Sequence, residues 1–324
     1  MVNRSQEEIM QKWPKEWSVP MASIRCIAYN QECFIADALD GFLMQETDFP
    51  FEIIVHDDAS TDKTADVVRS YEKKYPRIIK PIYETENQFS KHDGSLRRIV
   101  NAACSGKYVA LCEGDDCWIN PFKLQRQIEF LEKNPDYSMC FHRAKIEKEN
   151  PNLFADIQCG SIEDRDYTAD EIFENWIIPT ASVVFRRSVY QFQLESTDKF
   201  INGDVVLFLT CLKMGKIRGM SETMSVYRLN GGGVTQNKQA LEKRALLYPV
   251  HNEAIKENFS GIISVSVFNK KQIKRLIIRA ILYKKSAKYK EMVKDLICAF
   301  KLSPIQFVRQ MLKKTVDKIK SEKK

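Results

Sequence analysis

Two clumps of carboxylates stand directly after apolar runs, and side chains so placed can hold a cation or hydrogen-bond a polar ligand. Phe51-Glu52-Ile53-Ile54-Val55-His56 ends in Asp57-Asp58-Ala59-Ser60-Thr61-Asp62, and Lys107-Tyr108-Val109-Ala110-Leu111-Cys112 ends in Glu113-Gly114-Asp115-Asp116. If both runs are strands of an open α/β sheet, both clumps lie at its carboxyl edge, where such sheets bind ligands. Carboxylates crowded at one edge repel each other unless a cation or a hydrogen-bonding ligand stands between them. Mg2+ or Mn2+ does this with one or two carboxylates plus phosphate oxygens, as a departing diphosphate requires. Glu113 and Asp115 have the acidic-x-acidic spacing that sets two carboxylates around one ion. Gly114 between them lets backbone approach a ligand closely. Asp116 suits a role in orienting a sugar or in supporting the ligands from behind, while Asp57 and Asp58 suit a base N–H or ribose hydroxyls. Plainer readings exist, a helix cap for Asp115-Asp116 and an Asx turn for Asp57-Asp58. Two acidic strand ends in one chain favour the site.

The phosphate-cradling glycine loops GxGxxG and GxxxxGK[ST] are both missing, which argues against dehydrogenase and P-loop chemistry. Lys91, Arg97 and Arg98 are then the candidates for diphosphate contacts, although each is also an ordinary solvated cation.

The elements that must position these groups follow from periodicity. Ala22–Ala28 is a short apolar strand that turns at Tyr29-Asn30-Gln31-Glu32. Helical spacing runs from Phe34 to Met44, and Ser60 or Thr61 is placed to cap a helix reaching about Lys74. Ile79–Tyr83 reads as a strand, Leu96–Ala103 and Phe122–Asn134 as helices, and Tyr137–Ile146 as a strand. This alternation predicts an α/β fold, a doubly wound, mostly parallel sheet with helices on both faces. The polar stretch Glu147–Asp170 is the expected seam. Beyond it lie a strand at Ala181–Arg186, a helix over Asp204–Met214 and the loop Gly231-Gly232-Gly233. The expected division is a lead (1–20), a donor half (21–146), an acceptor half (147–259) and a helical basic tail (260–324).

Charge is unevenly spread. The chain carries +7 overall, but Gly261–Lys324 holds 18 Lys/Arg against 4 Asp/Glu, which leaves the body net acidic. An acidic body without a basic, aromatic groove excludes a nucleic-acid reader. Nine scattered cysteines without a CxxC pair suit reduced thiols better than zinc or a disulfide frame. The N-terminus has no apolar stretch resembling a signal peptide, and no segment reaches the roughly 20 apolar residues that span a bilayer.

The motifs together resemble those of the family 2 inverting glycosyltransferases with a GT-A fold. The match runs through Ser23-Ile24-Arg25-Cys26-Ile27-Ala28-Tyr29-Asn30, Ile54-Val55-His56-Asp57-Asp58-Ala59-Ser60-Thr61-Asp62 and Ala110-Leu111-Cys112-Glu113-Gly114-Asp115-Asp116-Cys117-Trp118. It covers about Met21–Ile146 and extends more weakly to about Gly233. The resemblance implies a UDP-sugar donor, with Tyr29, Glu32, Asp57 and Asp58 against uridine. Glu113-Gly114-Asp115 stands for the family's DxD, with Glu in its first place and Asp115 as the main metal ligand. At Arg97-Arg98 the family often has Arg-Asn. Inverting transfer needs a base for the acceptor hydroxyl. The resemblance places that carboxylate at the start of a helix in the second half, typically as Glu-Asp. Asn202-Gly203-Asp204 fits with Gly in place of Glu, so Asp204 is the candidate base, with a plain helix N-cap as the alternative. Tyr227-Arg228 and Gly231–Gly233 are similar to the acceptor-side flap. Trp118 and Trp176 are candidates to stack on sugars, though a lone Trp is more often core.

Relatives of this kind build bacterial O-antigens and capsules, adding a β-linked hexose to a sugar on undecaprenyl diphosphate. The resemblance therefore implies UDP-glucose or UDP-galactose as donor and lipid-diphosphate GlcNAc as acceptor, at the cytoplasmic face of the inner membrane. In the tail, Ile273, Leu276, Ile277, Ala280 and Ile281 form one apolar stripe. Val293, Leu296, Ile297 and Phe300 form a second, and Val308, Met311, Leu312, Thr315 and Ile319 a third. Such helices either lie on an anionic membrane or pack on the body. Two other functions use similar residues: a sugar nucleotidylyltransferase, and a sugar-nucleotide-binding protein without catalysis. The bulky, acidic Tyr29-Asn30-Gln31-Glu32 turn argues against the first, which needs a Gly-rich, basic triphosphate loop.

Overall fold

The computed structural model describes residues 4–153, 157, 159–231 and 238–322. Along the chain it runs α1 (Gln6–Met10), β1 (Ala22–Ala28), α2 (Ile35–Leu43), β2 (Phe51–Asp57), α3 (Thr64–Lys74), β3 (Ile79–Tyr83), α4 (Ser95–Ala103) and β4 (Tyr108–Leu111). It continues with β5 (Cys117–Trp118), α5 (Lys123–Lys133), β6 (Tyr137–Lys148), α6 (Ala169–Glu174), β7 (Val184–Arg186), α7 (Gly203–Met214) and β8 (Lys216–Leu229). Four helices follow: α8 (Lys238–Phe259), α9 (Val265–Lys285), α10 (Tyr289–Leu302) and α11 (Pro304–Glu322).

These elements form two compact units. The first comprises Met1–Thr168, Asn175–Gln193 and Leu207–Gly231; the second comprises Ala169–Glu174, Leu194–Val206 and Gly232–Lys324. The division expected at residues 146 and 259 falls elsewhere. β8, which periodicity does not predict as a strand, pairs along almost all of β6, so the expected seam at Glu147–Asp170 starts inside β6, and the first unit runs on to Thr168.

In the first unit the eight strands lie in the order β3-β2-β1-β4-β7-β6-β8-β5. β1, β2, β3 and β4 are mutually parallel, as are β6 and β8, while β7 and β5 run antiparallel to their neighbours. Every residue of β2 is buried. A strand buried on both faces needs helices above and below it, which is the doubly wound arrangement. The apolar faces of β1, α2 and β2, including Ile24, Leu39, Phe42, Ile53 and Val55, meet in one core with Trp118 and Leu124. Order 3-2-1-4 makes β1 the point where the winding direction reverses, so the loops after β1, β2 and β4 share one edge.

The second unit is helical. Ile273, Leu276 and Ile277 of α9 pack on Ala299 of α10, and Leu302 and Phe307 close that cluster. Arg279 grips Asp295 through two 2.8 Å hydrogen bonds and ties α9 to α10. The first tail stripe is therefore core except at Ile281, which is 41% exposed. The second is not: Val293, Ile297 and Phe300 are all about half exposed, as is Val308 of α11.

Candidate active site at the strand tips

The site is built on three loops that hydrogen bonds lock together. Beyond β1, the Asn30 N–H donates to Ser60 Oγ at 3.0 Å, and Asn30 Oδ1 accepts from the Thr61 N–H at 2.7 Å. The Gln31 N–H donates to Thr64 Oγ1 and the Glu32 N–H to Asp62 Oδ2, while Glu32 Oε2 accepts from the Lys63 N–H. The loops after β1 and β2 are thus one laced unit. Asn30 and Ala59 both adopt left-handed φ values, 52° and 61°. That backbone is unfavourable for a non-glycine residue, and the lacing holds it in place. Ser60 and Thr61 are spent on Asn30, so neither caps α3; Asp62 Oδ1 instead accepts from the Thr64 N–H at 2.9 Å.

The loop after β4 joins through the Gly114 N–H, which donates to the Ile27 carbonyl at 2.9 Å. Gly114 was expected to give room to a ligand. A Cβ there would instead collide with Gln31 and crowd Ile35 and Ala28, so glycine is required by packing between protein loops.

The carboxylates separate into those engaged by protein and those held in reserve. Asp57 is 3% exposed, and its Oδ1 is buried with no hydrogen-bond partner. Asp58 is different: Oδ1 accepts from the Gln88 N–H at 2.7 Å and Oδ2 from the Phe89 N–H at 3.0 Å. Expected to contact uridine, Asp58 instead fixes the 84–94 loop. Asp116 Oδ1 accepts from the Arg228 N–H at 2.8 Å and so ties the β4 tip to β8. Of the two roles expected for it, orienting a sugar or supporting the ligands from behind, this bond engages one oxygen in the second kind of contact. Burial, then the negative charge of Asp115, drive its pKa well above the usual carboxylate range. Asp115 Oδ2 accepts from Asn230 Nδ2 at 3.0 Å, and burial raises its pKa too. Glu113 Oε1 lies 3.9 Å from Arg25 Nη2, so an internal cation already faces it.

Other expected residues fare unevenly. Tyr29 is 47% exposed beside the laced loops. Lys91 pairs with Glu86 at 3.1 Å, and Arg97 is exposed on α4. Trp118 cannot stack on a sugar: it is 2% exposed, its Nε1–H donates to the Ala181 carbonyl at 2.8 Å, and its ring meets Phe42 edge-on. Tyr227 is half-buried against Trp176. Arg228 bonds Asp37 at 2.7 Å and keeps Nη1 buried without a partner. Gly231 donates its N–H to Glu149 at 2.8 Å, whereas Gly232 and Gly233 lie outside the described residues. In the second unit, Asp204 is exposed in the first turn of α7. Arg25 and Asn230 were not foreseen. A lone Arg inside an apolar strand was the signal for the first, and nothing in the sequence marked the second.

For a divalent cation the residues fit in kind. Among the described residues, no three His, Cys, Asp or Glu side chains gather into a complete metal cage. Mg2+ and Mn2+ at nucleotide sites commonly take one or two carboxylates and draw the rest from phosphate and water. Asp115, partly buried, and Asp116, buried, make no ion pair among the described residues, and burial raises the pKa of each, so a cation beside them would favour their ionised forms.

The model of glycosyl transferase family 2 matches residues 23–191. An uncharacterised protein of Mycobacterium tuberculosis is 34% identical over 259 residues, which covers 76% of this chain and 73% of that protein. TuaG of Bacillus subtilis, named provisionally as a teichuronic acid biosynthesis glycosyltransferase, is 29% identical over 69% of this chain and 85% of its own. Among solved structures, S. aureus TarS 1–349 in complex with UDP-GlcNAc superposes with a TM-score of 0.61 at 17% identity, over 87% of this chain and 81% of that one. A Pyrobaculum calidifontis mannosyltransferase in complex with GDP-Man and Mn2+ gives a TM-score of 0.53 at 18% identity, over 88% and 78% of the two chains. The parallel sheet that reverses at β1 is thus a GT-A fold, and this chain belongs to glycosyl transferase family 2.

Proposed function

We propose that this glycosyltransferase moves a hexose, glucose or galactose, from a UDP-sugar to a sugar on a lipid diphosphate, GlcNAc by the resemblance, with inversion to a β-linkage. The observation that carries the reading is the pair of strand tips on either side of β1. There, buried Asp57 and partly buried Asp115 make no ion pair among the described residues, and Asp57 keeps one oxygen without a partner. Asp57 Oδ1 accepts from the nucleobase or ribose, with Tyr29 and Glu32 beside it. Asp115, aided by Glu113, would hold Mn2+ or Mg2+, and such an ion would supply positive charge against the negative charge that grows on the leaving diphosphate. Arg97 and Lys91 supply further positive charge to the phosphates. Asp204 takes the proton from the acceptor hydroxyl as it attacks the anomeric carbon. Tyr227 and Arg228 frame the acceptor side.

The tail supports action at a membrane surface, on the inner-membrane face that meets the cytoplasm, in O-antigen or capsule assembly. No helix among the described residues is long and apolar enough to cross a bilayer. Tyr289, Val293, Ile297 and Phe300 recur at spacings of four, four and three along α10, each 47–59% exposed. They form one apolar face, flanked by Lys290, Lys294 and Lys301, as an interfacial helix requires.

The test is incubation of the purified full chain with radiolabelled UDP-sugars, Mn2+ and a lipid-diphosphate GlcNAc acceptor, with the product's anomeric configuration read by NMR. A β-linked product is expected. Retained configuration, or nucleotide transfer from UTP to a sugar phosphate, refutes the assignment.

A further inference from the structure

We infer that Arg244, Lys271 and Arg275, gathered where α8 and α9 flank the lead into Asp204, form a subsite for the phosphate groups of the acceptor. The inference rests on the diphosphate-linked acceptor proposed above and assigns the residues that would hold it.

Three residues of α8 grip the two residues ahead of α7 through four hydrogen bonds. Arg244 Nη2 donates to Asn202 Oδ1 at 2.5 Å and to the Ile201 carbonyl at 3.3 Å. The Tyr248 hydroxyl donates to the same Asn202 oxygen at 3.2 Å, and His251 Nδ1 accepts from the Ile201 N–H at 3.4 Å. α9 adds two more cations. The Arg275 guanidinium lies 3.8 Å from the Tyr248 ring centroid, and its Nε is buried with no hydrogen-bond partner. The Lys271 ammonium donates to the Phe173 carbonyl and sits 4.3 Å from that ring.

None of the three cations makes an ion pair among the described residues. Nearby carboxylates are bonded to other groups: Glu174 of α6 to Lys270, Glu253 of α8 to Gln272 and Asp295 of α10 to Arg279, and of these only Glu174 offsets the charge on Lys271. The excess of positive charge is felt within the cluster. Burial, then Arg275 and Lys274, push Lys271 down to about 7. Burial, then Lys271, Arg275 and Arg244, push His251 down to about 4.

Partly buried cations without counter-charges are costly, and a bound anion removes that cost. Guanidinium groups offer paired N–H donors that match phosphoryl oxygens, and an ammonium supplies a point charge beside them. Because Asn202 both receives Arg244 and immediately precedes the turn of Asp204, an anion held here would place the sugar it carries near the proposed base. A nucleotide donor has its own cation supply at the strand tips, so the acceptor is the anion this subsite suits.

The test is equilibrium binding to the full chain, with UDP and Mn2+ present, of a short-chain prenyl-diphosphate GlcNAc and of the neutral alkyl glycoside of GlcNAc. The native protein should prefer the diphosphate compound. Arg275→Gln and Lys271→Gln should each reduce that preference about tenfold, the loss of one charge-assisted contact, and Arg275→Lys should retain part of it. Unfolding curves establish that the variants fold. Equal binding of the two compounds by native protein, or an unchanged preference in both variants, overturns the subsite. So does a loss, in the variants, of binding to anionic phospholipid vesicles without acceptor while the diphosphate preference is unmoved. Arg275-dependent binding without any sugar transfer would keep the subsite and refute the proposed reaction.

Discussion

Replacing Lys123 by Met should stabilise this protein, by an amount set by pH. Lys123 opens α5 fully buried; its ammonium has no hydrogen-bond partner and lies 3.8 Å from the Trp118 ring centroid. Burial lowers its pKa from 10.5 to about 7. At 1.36 kcal/mol per unit, that gap corresponds to about 5 kcal/mol opposing the folded state. The folded pKa lies below the unfolded one, so between pH 7 and 10.5 the unfolded chain binds more protons and stability rises with pH. The penalty is complete below about pH 7 and gone above about 10.5. Met has a similar reach but gives up a cation–π contact of about 1–2 kcal/mol. A net gain of about 3 kcal/mol at pH 7 follows, within the range seen when buried charges become apolar. Urea unfolding of both proteins at pH 7, 8.5 and 10.5 measures it. A gain that is largest at pH 7 and closes by pH 10.5 is expected. Lower stability of the variant at pH 7, or a difference independent of pH, would refute the reasoning.

Four further outcomes are expected. Asp115→Asn should abolish the upward shift in melting temperature that Mn2+ and UDP together produce. Because burial raises the Asp115 pKa, ionisation there opposes folding as pH rises above the unfolded value, so the metal-free variant should melt higher than the native protein at pH 7 and match it in acid; a lower melting point at pH 7 would contradict this. Asp204→Asn should reduce kcat by at least about a hundredfold while UDP binding measured by calorimetry stays intact, and near-native turnover would remove Asp204 from the mechanism. Trp118→Phe strands the buried Ala181 carbonyl and should cost about 1–3 kcal/mol in urea unfolding; a raised acceptor KM at native stability would return Trp118 to the sugar site. Changing Val293, Ile297 and Phe300 together to Ser should weaken binding to anionic vesicles at least tenfold in a sedimentation assay, and unchanged partition would remove α10 from the membrane contact.

Much of the donor half was legible because its signals are local. β1 to β4 and the helices between them follow from period-two and period-3.6 patterns, and the acidic clumps sit where those strands end. Less local pieces were not legible. α8 has little amphipathic pattern and carries Pro249 inside it, so nothing in its spacing announced a 22-residue helix. β8 mixes Lys216, Arg218, Ser221 and Glu222 with apolar residues, and it is a strand because β6 supplies its partner along almost its whole length. Ala181–Arg186 reads as one strand, but only Val184–Arg186 finds a partner, and Thr180–Ser182 is a 3-10 turn.

The amino-acid sequence alone determined the architecture of the donor half, the sign of the charge at each end and the two acidic turns, since each depends on residues within a few positions of one another. Which carboxylates remain available was a tertiary decision. Asp57 and Asp58 are adjacent and chemically identical, yet Gln88 and Phe89 claim both oxygens of Asp58 while one oxygen of Asp57 stays open. Likewise the backbone of Arg228, 112 residues away in the chain, takes Asp116, and Ala181 takes Trp118. A hydrogen bond depends on where the fold brings its partner, and no spacing within a single segment encodes that.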